Sequence, residues 1–322
     1  MKNAAFLVAA LAIVPYHGNG QDINTLLSQW SVVTSGNLEL VNDIQGSAYV
    51  GGNVTDPNSF NVATGSPSLP KSTVTLAVAG NIDNGGNLQV NGGSVVVGGT
   101  IGRTINLNSG GTYRQNDAAG LPASPVNAIA SASQYWSTLT ANSSTSVAAN
   151  GQLNFNCQAG TSLAVFNLNA RQLFDSGYQG FALNPAATTG DILINLEGGN
   201  VNWNSGGFFS QFDTPYWNGR VLFNFYDATS VNLSGLLGGY VVAPKANVTV
   251  QNDIDGGIMA RNLTVDSEVD LPGSGLSAWN GDLPNVLVPE TGAWAWVSSI
   301  GALVLAAGSL AARVRWFTGT KR

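Results

Sequence analysis

Short apolar runs separated by turn residues are the main pattern of this chain. Between about residues 25 and 283, runs of four to seven residues are bounded by Gly, Asn, Asp and Ser, which predicts short strands joined by tight turns. The runs 48–54, 76–82 and 95–101 end alike, in Gly followed by Asn or Thr and a last apolar residue. These corners recur at unequal intervals, 28 residues from Gly52 to Gly80 and then 19 to Gly99.

The repeated corner favours one β architecture over the others. Turns of this length suit a parallel β-helix, in which strands stack on identical neighbours and we expect the corner residues to adopt positive φ. A jelly roll or a sandwich also has short strands, but it needs no recurrent apolar-Gly-Asn corner. One segment, 125–139, has the apolar period of a helix, with Ile129 and Trp136 on one face. We expect this single helix to pack along the side or the end of the solenoid.

The two ends of the chain have the features of targeting and anchoring segments. Residues 1–20 hold Lys2, an uncharged apolar run and small residues, which predicts a signal peptide removed near Gln21. Residues 293–312 are uncharged and are followed by the basic tail 313–322, which predicts a transmembrane helix with a cytoplasmic tail. The predicted fold class is therefore all-β, a β-helix-like solenoid with one packed helix, plus a C-terminal transmembrane helix. The body, residues 21–283, is expected to be exported.

A short motif stands directly before the apolar span, at the end of a linker that covers 284–292. Its residues are Val288, Pro289, Glu290, Thr291 and Gly292. Motif, span and basic tail resemble a cell-wall sorting signal of the Leu-Pro-x-Thr-Gly kind, which implies that a sorting transpeptidase (sortase) cuts after Thr291. The motif also resembles the Pro-Glu-Pro C-terminal signal read by exosortases. A plain transmembrane anchor and a lipid anchor are the alternatives.

Composition and charge exclude one fold and one class of partner. Only 9% of the residues are charged, whereas 40 are Gly, which argues against a helical bundle. Five of the 12 Lys and Arg residues lie at the two ends, so the span between carries seven against 18 acidic residues, a net charge of −11. A surface of that sign repels phosphate backbones, and we expect no nucleic-acid partner.

Two scarce residue types narrow the chemistry. The one His, His17, lies in the predicted leader, so Ser-His-Asp and Cys-His catalysis and His-ligated metals are not expected in the mature chain. The one Cys, Cys157, is interpreted as a small apolar residue packed in a strand rather than a reactive thiol. No cofactor is expected, apart from a possible Ca²⁺.

Alternating carboxylates are the best candidates for a site. Five residues carry them: Asp253, Asp255, Asp266, Glu268 and Asp270. Residues two apart in a strand point to one face, so 266, 268 and 270 are expected to lie together, with 253 and 255 one coil earlier. Such a group could bind calcium through oxygen ligands or supply the acid and base of a glycosidase. The plainer interpretation is a solvated face of an acidic protein.

Several segments together resemble the choice-of-anchor A domain. They occur in the family's order and cover most of residues 25–283: 43–53, 163–168, 192–196, 223–229, 238–246 and 254–260. The resemblance implies a secreted surface protein whose terminus carries a sortase-type or Pro-Glu-Pro-type anchor. The chain departs from the family at Glu268-Val269-Asp270, where members tend to have Glu-x-His, so no role of that His is carried over.

These observations predict a non-enzymatic, envelope-anchored surface protein that acts in adhesion or in matrix or coat structure. Its expected partners are an extracellular matrix protein or a glycan. The alternative is a polysaccharide-binding or polysaccharide-cleaving β-helix that uses the carboxylates. Aromatic residues in 203–226 could form a sugar-stacking platform, although core packing is the commoner use. Ice binding needs ranks of Thr, which Thr73, Thr75 and Thr100 do not make.

Overall fold

A computed structural model describes residues 21–66, 68–175, 177–203, 212, 214–271 and 277–286. Residues Gln21–Val286 form one compact unit. The predicted signal peptide, sorting motif, transmembrane segment 293–312 and basic tail lie outside the described residues. Within the described ranges, no helix is both long enough and apolar enough to span a membrane.

The described residues form mostly short strands and three α-helices. In chain order the strands are β1 Val32–Thr34, β2 Leu38–Leu40, β3 Asp43–Ile44, β4 Ala48–Val50, β5 Phe60–Val62, β6 Val74–Val78, β7 Leu88–Val90, β8 Ser94–Val97, β9 Ile105–Leu107, β10 Tyr113–Arg114, β11 Ser144–Val147, β12 Gln152–Asn156, β13 Leu163–Asn169, β14 Gly180–Asn184, β15 Asp191–Glu197, β16 Asn200–Trp203, β17 Val221–Asn224, β18 Ser230–Leu233, β19 Leu237–Val250, β20 Ile254–Val265 and β21 Val269–Asp270. The helices are α1 Ile23–Gln29, α2 Val126–Trp136 and α3 Ala170–Asp175, with a 3-10 turn at Ala118–Gly120.

The chain winds as a parallel solenoid with three sides, as the corner pattern predicted. Side A consists, in spatial order, of β10, β8, β6, β4, β1, the middle of β20, the middle of β19, β17, β15 and β13. Side B consists, in spatial order, of β2, the end of β20, the end of β19, β18 and β16. Side C consists of β9, β7, β5, β3, β21 and the starts of β20 and β19.

The order along side A shows that the chain starts and finishes in the middle of the solenoid. From β1 the coils stack outward to β10, and after α2 the chain resumes at the opposite end, at β13. It then winds back until β20 pairs with β1, where Val32 lies opposite Ile258. The far end is closed by β11, which pairs antiparallel with β12, and by the N–H groups of Asn142 and Ser143, which donate to Val165 O at 3.1 Å.

Side A is buried on both faces because helices cover its outside. The inward residues, such as Val32 and Val50, join the main core, whereas Val33 and Tyr49 point outward into a second apolar cluster with α1 and α2. Both faces of a covered parallel sheet are apolar, which explains the unbroken apolar runs. Helix α2 confirms the helix predicted in 125–139, and it buries Ile129 and Trp136 on that outer face.

The prediction of a single helix was wrong, because α1 and α3 are also present. Each is too short, at seven and six residues, to show a helical period in the sequence. Side-chain caps support both of them. Asp22 accepts a hydrogen bond from Asn24 N in α1, and Asn169 Oδ1 accepts from Arg171 N at 3.0 Å in α3.

The two ends of the described chain are tied together over side A. In α1, Asn24 Oδ1 accepts hydrogen bonds from Leu283 N at 2.9 Å and from Trp279 Nε1 at 3.2 Å. At the end of α2, Trp136 Nε1 donates to Pro284 O at 3.0 Å. The segment 277–286 therefore extends the helical cover of side A.

Asparagines stack at the corner between sides A and B. Asn37 Oδ1 accepts from Asn53 N at 2.9 Å, Asn53 Oδ1 from Asn81 N at 2.8 Å, and Asn81 Oδ1 from Thr100 N at 2.9 Å. Asn262 Oδ1 continues the ladder by accepting from Asn37 N at 2.8 Å. Each coil thus satisfies a backbone donor of the next coil with a neutral side chain.

This ladder corrects the expected role of the corner glycines. None of Gly52, Gly80 and Gly99 has positive φ. Glycine is needed instead because the neighbouring coil occupies the space of a side chain: a Cβ on Gly80 would lie 2.6 Å from Gly52 O and closer still to Asn53 Oδ1. The corner sequence therefore reflects close approach rather than backbone handedness.

We expect Gly80→Ala to destabilise the fold by about 3 kcal/mol or more, because neither the backbone of the neighbouring coil nor the ladder can move away from the added Cβ. The matched control is Gly199→Ala, since a Cβ there meets nothing within 4 Å. Its free energy of unfolding should change by less than about 0.5 kcal/mol. Urea unfolding of the two variants measures the difference, and equal stabilities would contradict the close-approach explanation.

Candidate functional site

Four of the five predicted site carboxylates meet on side C, where the last coils join the first. Asp255 lies opposite Asp270 in the pairing of β20 with β21, and Val269 lies opposite Ile44 in β3. Asp253 and Glu268 lie two residues before them, each directly ahead of its strand, and Glu268 N donates to Asp253 Oδ1 at 3.3 Å. We call Asp253, Asp255, Glu268 and Asp270 the side C cluster.

Polar side chains of the first coils border this cluster. Gln45 Nε2 donates to Asp270 Oδ1 at 2.6 Å, and Gln45 Oε1 accepts from Leu271 N at 3.1 Å. Asn42 Nδ2 donates to Glu268 Oε1 at 3.2 Å. No sequence pattern linked residues 42 and 45 to residues 268 and 270, because only the closure of β21 on β3 brings them together.

Crowding of carboxylates changes the acidity of Asp270. Burial raises the pKa of Asp270 to about 6, and the charges of Glu268 and Asp253 add to this, while a hydrogen bond with Asp255 opposes it. Near pH 6 the cluster therefore takes up a proton, which lowers the repulsion between its members.

Asp266 does not belong to the cluster. Strand β20 ends at Val265 and β21 begins at Val269, so a corner interrupts the alternation that was expected to align residues 266, 268 and 270. Asp266 lies exposed at this corner. A strand of two residues is too short for a sequence period to reveal its limits.

The geometry of the acidic residues gives no direct support for a metal. Among the described residues, no group of three or more His, Cys, Asp or Glu side chains is arranged to hold a metal ion. Calcium binding by Asp253, Asp255, Glu268 and Asp270 stays a prediction.

Side B presents a row of polar side chains, four of them neutral and the last one acidic. Register pairs Asn202 with Asn232, Asn232 with Thr249, Thr249 with Thr264, and Thr264 with Glu39. Asn232 Nδ2 donates to Asn202 Oδ1 at 2.9 Å. The row contains two successive threonines, whereas Thr75, one of the three considered in the sequence, is buried.

Most of the clustered aromatic residues serve the core. Trp203, Phe212, Phe223 and Phe225 are buried, and Phe212 packs edge-on against Phe155 at 5.2 Å between ring centroids. Tyr216 is exposed instead. The stacking-platform hypothesis is therefore wrong for the four buried rings, while Phe208 and Phe209 lie outside the described residues.

Cys157 lies directly after β12 and is half-buried. Burial raises the pKa of its thiol, which disfavours the reactive thiolate. Its N–H donates to Asn184 O at 3.0 Å, so it continues the strand pairing in the way expected of a packed residue.

We expect Asp270→Asn to stabilise the protein above pH 7 and to leave its stability unchanged at pH 4. Because the pKa in the folded chain, about 6, exceeds the ordinary 3.8, the folded state binds more protons between these values, and its stability falls as pH rises through 6. A shift of about two units corresponds to roughly 3 kcal/mol, which screening at this half-exposed position reduces to about 1 kcal/mol.

Thermal melting from pH 4 to 8 measures this effect, as a rise of about 2–4 °C in Tm at the alkaline end. Asp266→Asn is the control, since it removes an exposed carboxylate outside the cluster. Parallel Tm profiles for wild type and Asp270→Asn would contradict the proton uptake. Repeating the melts with calcium tests the metal hypothesis.

Comparison with known proteins gives a family for this solenoid. Residues 23–271 match the family described as "Putative Ice-binding-like adhesive domain", a span that begins in α1 and ends just after β21. Neither the curated proteins nor the solved structures give a match. Since the matched residues make up more than half of the chain, this protein belongs to the ice-binding-like adhesive domain family.

Proposed function

We propose that this protein is a surface-anchored adhesin whose solenoid binds an extracellular matrix protein or a glycan. The observation that carries the proposal is the family match, which spans residues 23–271 and so takes in almost all of the described solenoid. An adhesive domain acts outside the cell, which agrees with the predicted leader in residues 1–20.

The distribution of exposed groups supports binding on sides B and C. Side A is covered over most of its strands by α1, α2 and residues 277–286, so only the ends of its strands and the edge strand β10 are open to a partner. Sides B and C expose amides, hydroxyls and carboxylates on strands that pair in the solenoid. Rigid polar surfaces lose little conformational entropy on binding, which suits adhesion.

The anchor proposed here is the C-terminal sorting signal. Val288 to Gly292, the apolar span 293–312 and the basic tail have the order that a sorting transpeptidase requires. The resemblance to the choice-of-anchor A domain supports the same proposal, because members of that family are secreted and end in such anchors. A membrane anchor through 293–312 would hold the same domain at the surface without cleavage.

A second candidate function follows from Asp270. A carboxyl with a pKa of about 6 beside ionised neighbours resembles the general acid of a glycosidase. We favour the non-enzymatic role, because the side C cluster lies on an exposed side of the solenoid, and no imidazole follows His17 in the chain. No cofactor and no nucleic-acid partner enter the proposal.

Deletion of the gene tests the adhesive role. Cells without the protein should lose adherence to at least one surface among collagens, immobilised glycans and other cells, and the full chain should restore it. A chain with Asp270→Asn should also restore adherence, because it removes one carboxylate and leaves the rest of the polar surface of sides B and C in place. Unchanged adherence on every surface would overturn the adhesive role. Glycan digestion abolished by Asp270→Asn would establish the glycosidase instead.

Mass spectrometry of the envelope-bound protein tests the anchor. The chain should begin near Gln21 and end at Thr291, and Thr291→Ala should leave the full-length chain in the membrane fraction. A matched control is Thr264→Ala, a threonine in the solenoid. Residues 293–312 still attached in all wild-type protein would contradict cleavage and support the plain transmembrane anchor.

A further inference from the structure

A polar cleft opens beside the C-terminal end of α2, away from the side C cluster. It has a volume of about 180 Å³, enough for one sugar ring. Its floor comes from the ends of side A strands, and its wall comes from Ser137 after α2. Of its lining residues, only Tyr226 belongs to a segment that the sequence analysis considered as a site, the aromatic stretch 203–226.

Strand register builds the floor of the cleft in two rows. In the first row Asn167, Asn195 and Asn224 lie opposite one another in β13, β15 and β17. Asn195 Nδ2 donates to Asn167 Oδ1 at 2.9 Å, and Asn224 Nδ2 donates to Asn195 Oδ1 at 2.8 Å. These amides also bind α2, since Asn195 Nδ2 donates to Trp136 O at 2.7 Å. The row is therefore a fixed part of the scaffold.

The second row lies two residues beyond the first, at the last residues of β13 and β15 and past the end of β17, and it carries the groups that can bind a ligand. Asn169 lies opposite Glu197, and Tyr226 follows Asn224 by the same two positions. Glu197 and Tyr226 both line the cleft, and within the described ranges neither side chain forms a hydrogen bond. A carboxylate and a phenol thus face one small space without hydrogen-bond partners among the described residues, beside the amide of Asn169, whose Oδ1 caps α3.

The groups that line this cleft favour a ligand with several adjacent hydroxyls, such as a sugar. A carboxylate and an amide accept and donate hydrogen bonds in the way that adjacent sugar hydroxyls require. The half-buried ring of Tyr226 offers apolar surface to the C–H face of a sugar. Asp227 adjoins Tyr226, and the C-terminal end of α2 adds negative potential, so anionic sugars are disfavoured.

We propose that the cleft formed by Ser137, Asn167, Asn169, Asn195, Glu197 and Tyr226 binds one neutral hexopyranose unit of a surface glycan. This inference deepens the adhesive function and rests on it, because it names the ligand class that the adhesin recognises. Glu197 holds two adjacent hydroxyls, the Tyr226 ring packs on the sugar, and the fixed amide row sets its orientation.

Binding of simple sugars to the full-length chain in detergent tests the site. The probes are the methyl glycosides of glucose, galactose, mannose and N-acetylglucosamine, with a methyl glucuronoside as the anionic probe, measured by saturation-transfer NMR and calorimetry. At least one neutral glycoside should bind, and Glu197→Gln should weaken it by about tenfold, since hydrogen bonds to a charged acceptor are lost. The methyl glucuronoside should bind more weakly than the methyl glucoside. Glu197→Gln should reduce this difference in affinity, because it removes a negative charge that repels the anionic sugar.

Two further variants distinguish loss of a contact in the cleft from a change in the overall charge of the surface. Tyr226→Phe keeps the ring and should weaken binding by about threefold, through loss of one hydrogen bond. Asp266→Asn removes a carboxylate elsewhere on the surface and should leave the affinity unchanged. Melting curves confirm that each variant is folded. Absence of binding by every neutral glycoside, or equal affinity of wild type and Glu197→Gln, overturns the proposal.

The outcomes also separate this site from the adhesive function. If cells adhere through the protein but no sugar binds, the cleft proposal fails and the adhesin stands. If sugars bind but deletion leaves adherence unchanged, the adhesin fails and the sugar site stands.

Discussion

The pairing of the first strand with the last long strand is the constraint on which the rest of the solenoid depends. β1 has β4 on one edge and β20 on the other, so it joins the coils that precede α2 to those that follow it. Without this pairing, each half would end in an open parallel edge in the middle of the molecule. Because Val32 and Ile258 are far apart in sequence, the contact carries a high loop-closure entropy. The outer cover of α1, α2 and residues 277–286 lies over the strands of side A and offsets that entropy by burying apolar surface.

Asparagine side chains form many of the hydrogen bonds that join neighbouring coils. The corner ladder from Asn262 to Asn81 satisfies backbone donors, and the buried row of Asn167, Asn195 and Asn224 ties α2 to side A. An amide both donates and accepts, so identical residues can bond to one another along a stack. A charged side chain at these positions would require desolvation and a partner of opposite sign. The low proportion of charged residues, 9%, is therefore a consequence of how the coils are joined.

Acidic side chains lie close together both where the two halves meet and where α2 ends. The side C cluster lies on β20 and β21 next to β3, so repulsion among its carboxylates acts on the closing contacts of the fold. Glu197 and Asp227 lie instead near the cleft beside α2. Both groups lie on or next to strands held by parallel pairing, which gives an adhesive surface preformed groups rather than mobile ones.

The sequence by itself determined the class of the fold, the helix in 125–139 and the positions of the corners, because apolar alternation and Gly-Asn punctuation are local patterns. It also identified Asp253, Asp255, Glu268 and Asp270 as candidate site residues, since side chains two residues apart in a strand point to the same face. Only the tertiary structure decided that Asp266 lies apart from them, because a corner of three residues breaks the parity. It alone revealed why Gly80 is required, since the obstructing Asn53 belongs to another coil. It alone brought Glu197 and Tyr226 together as well, because each lies two residues beyond the paired Asn195 and Asn224, and register between distant strands is set by packing across the whole core.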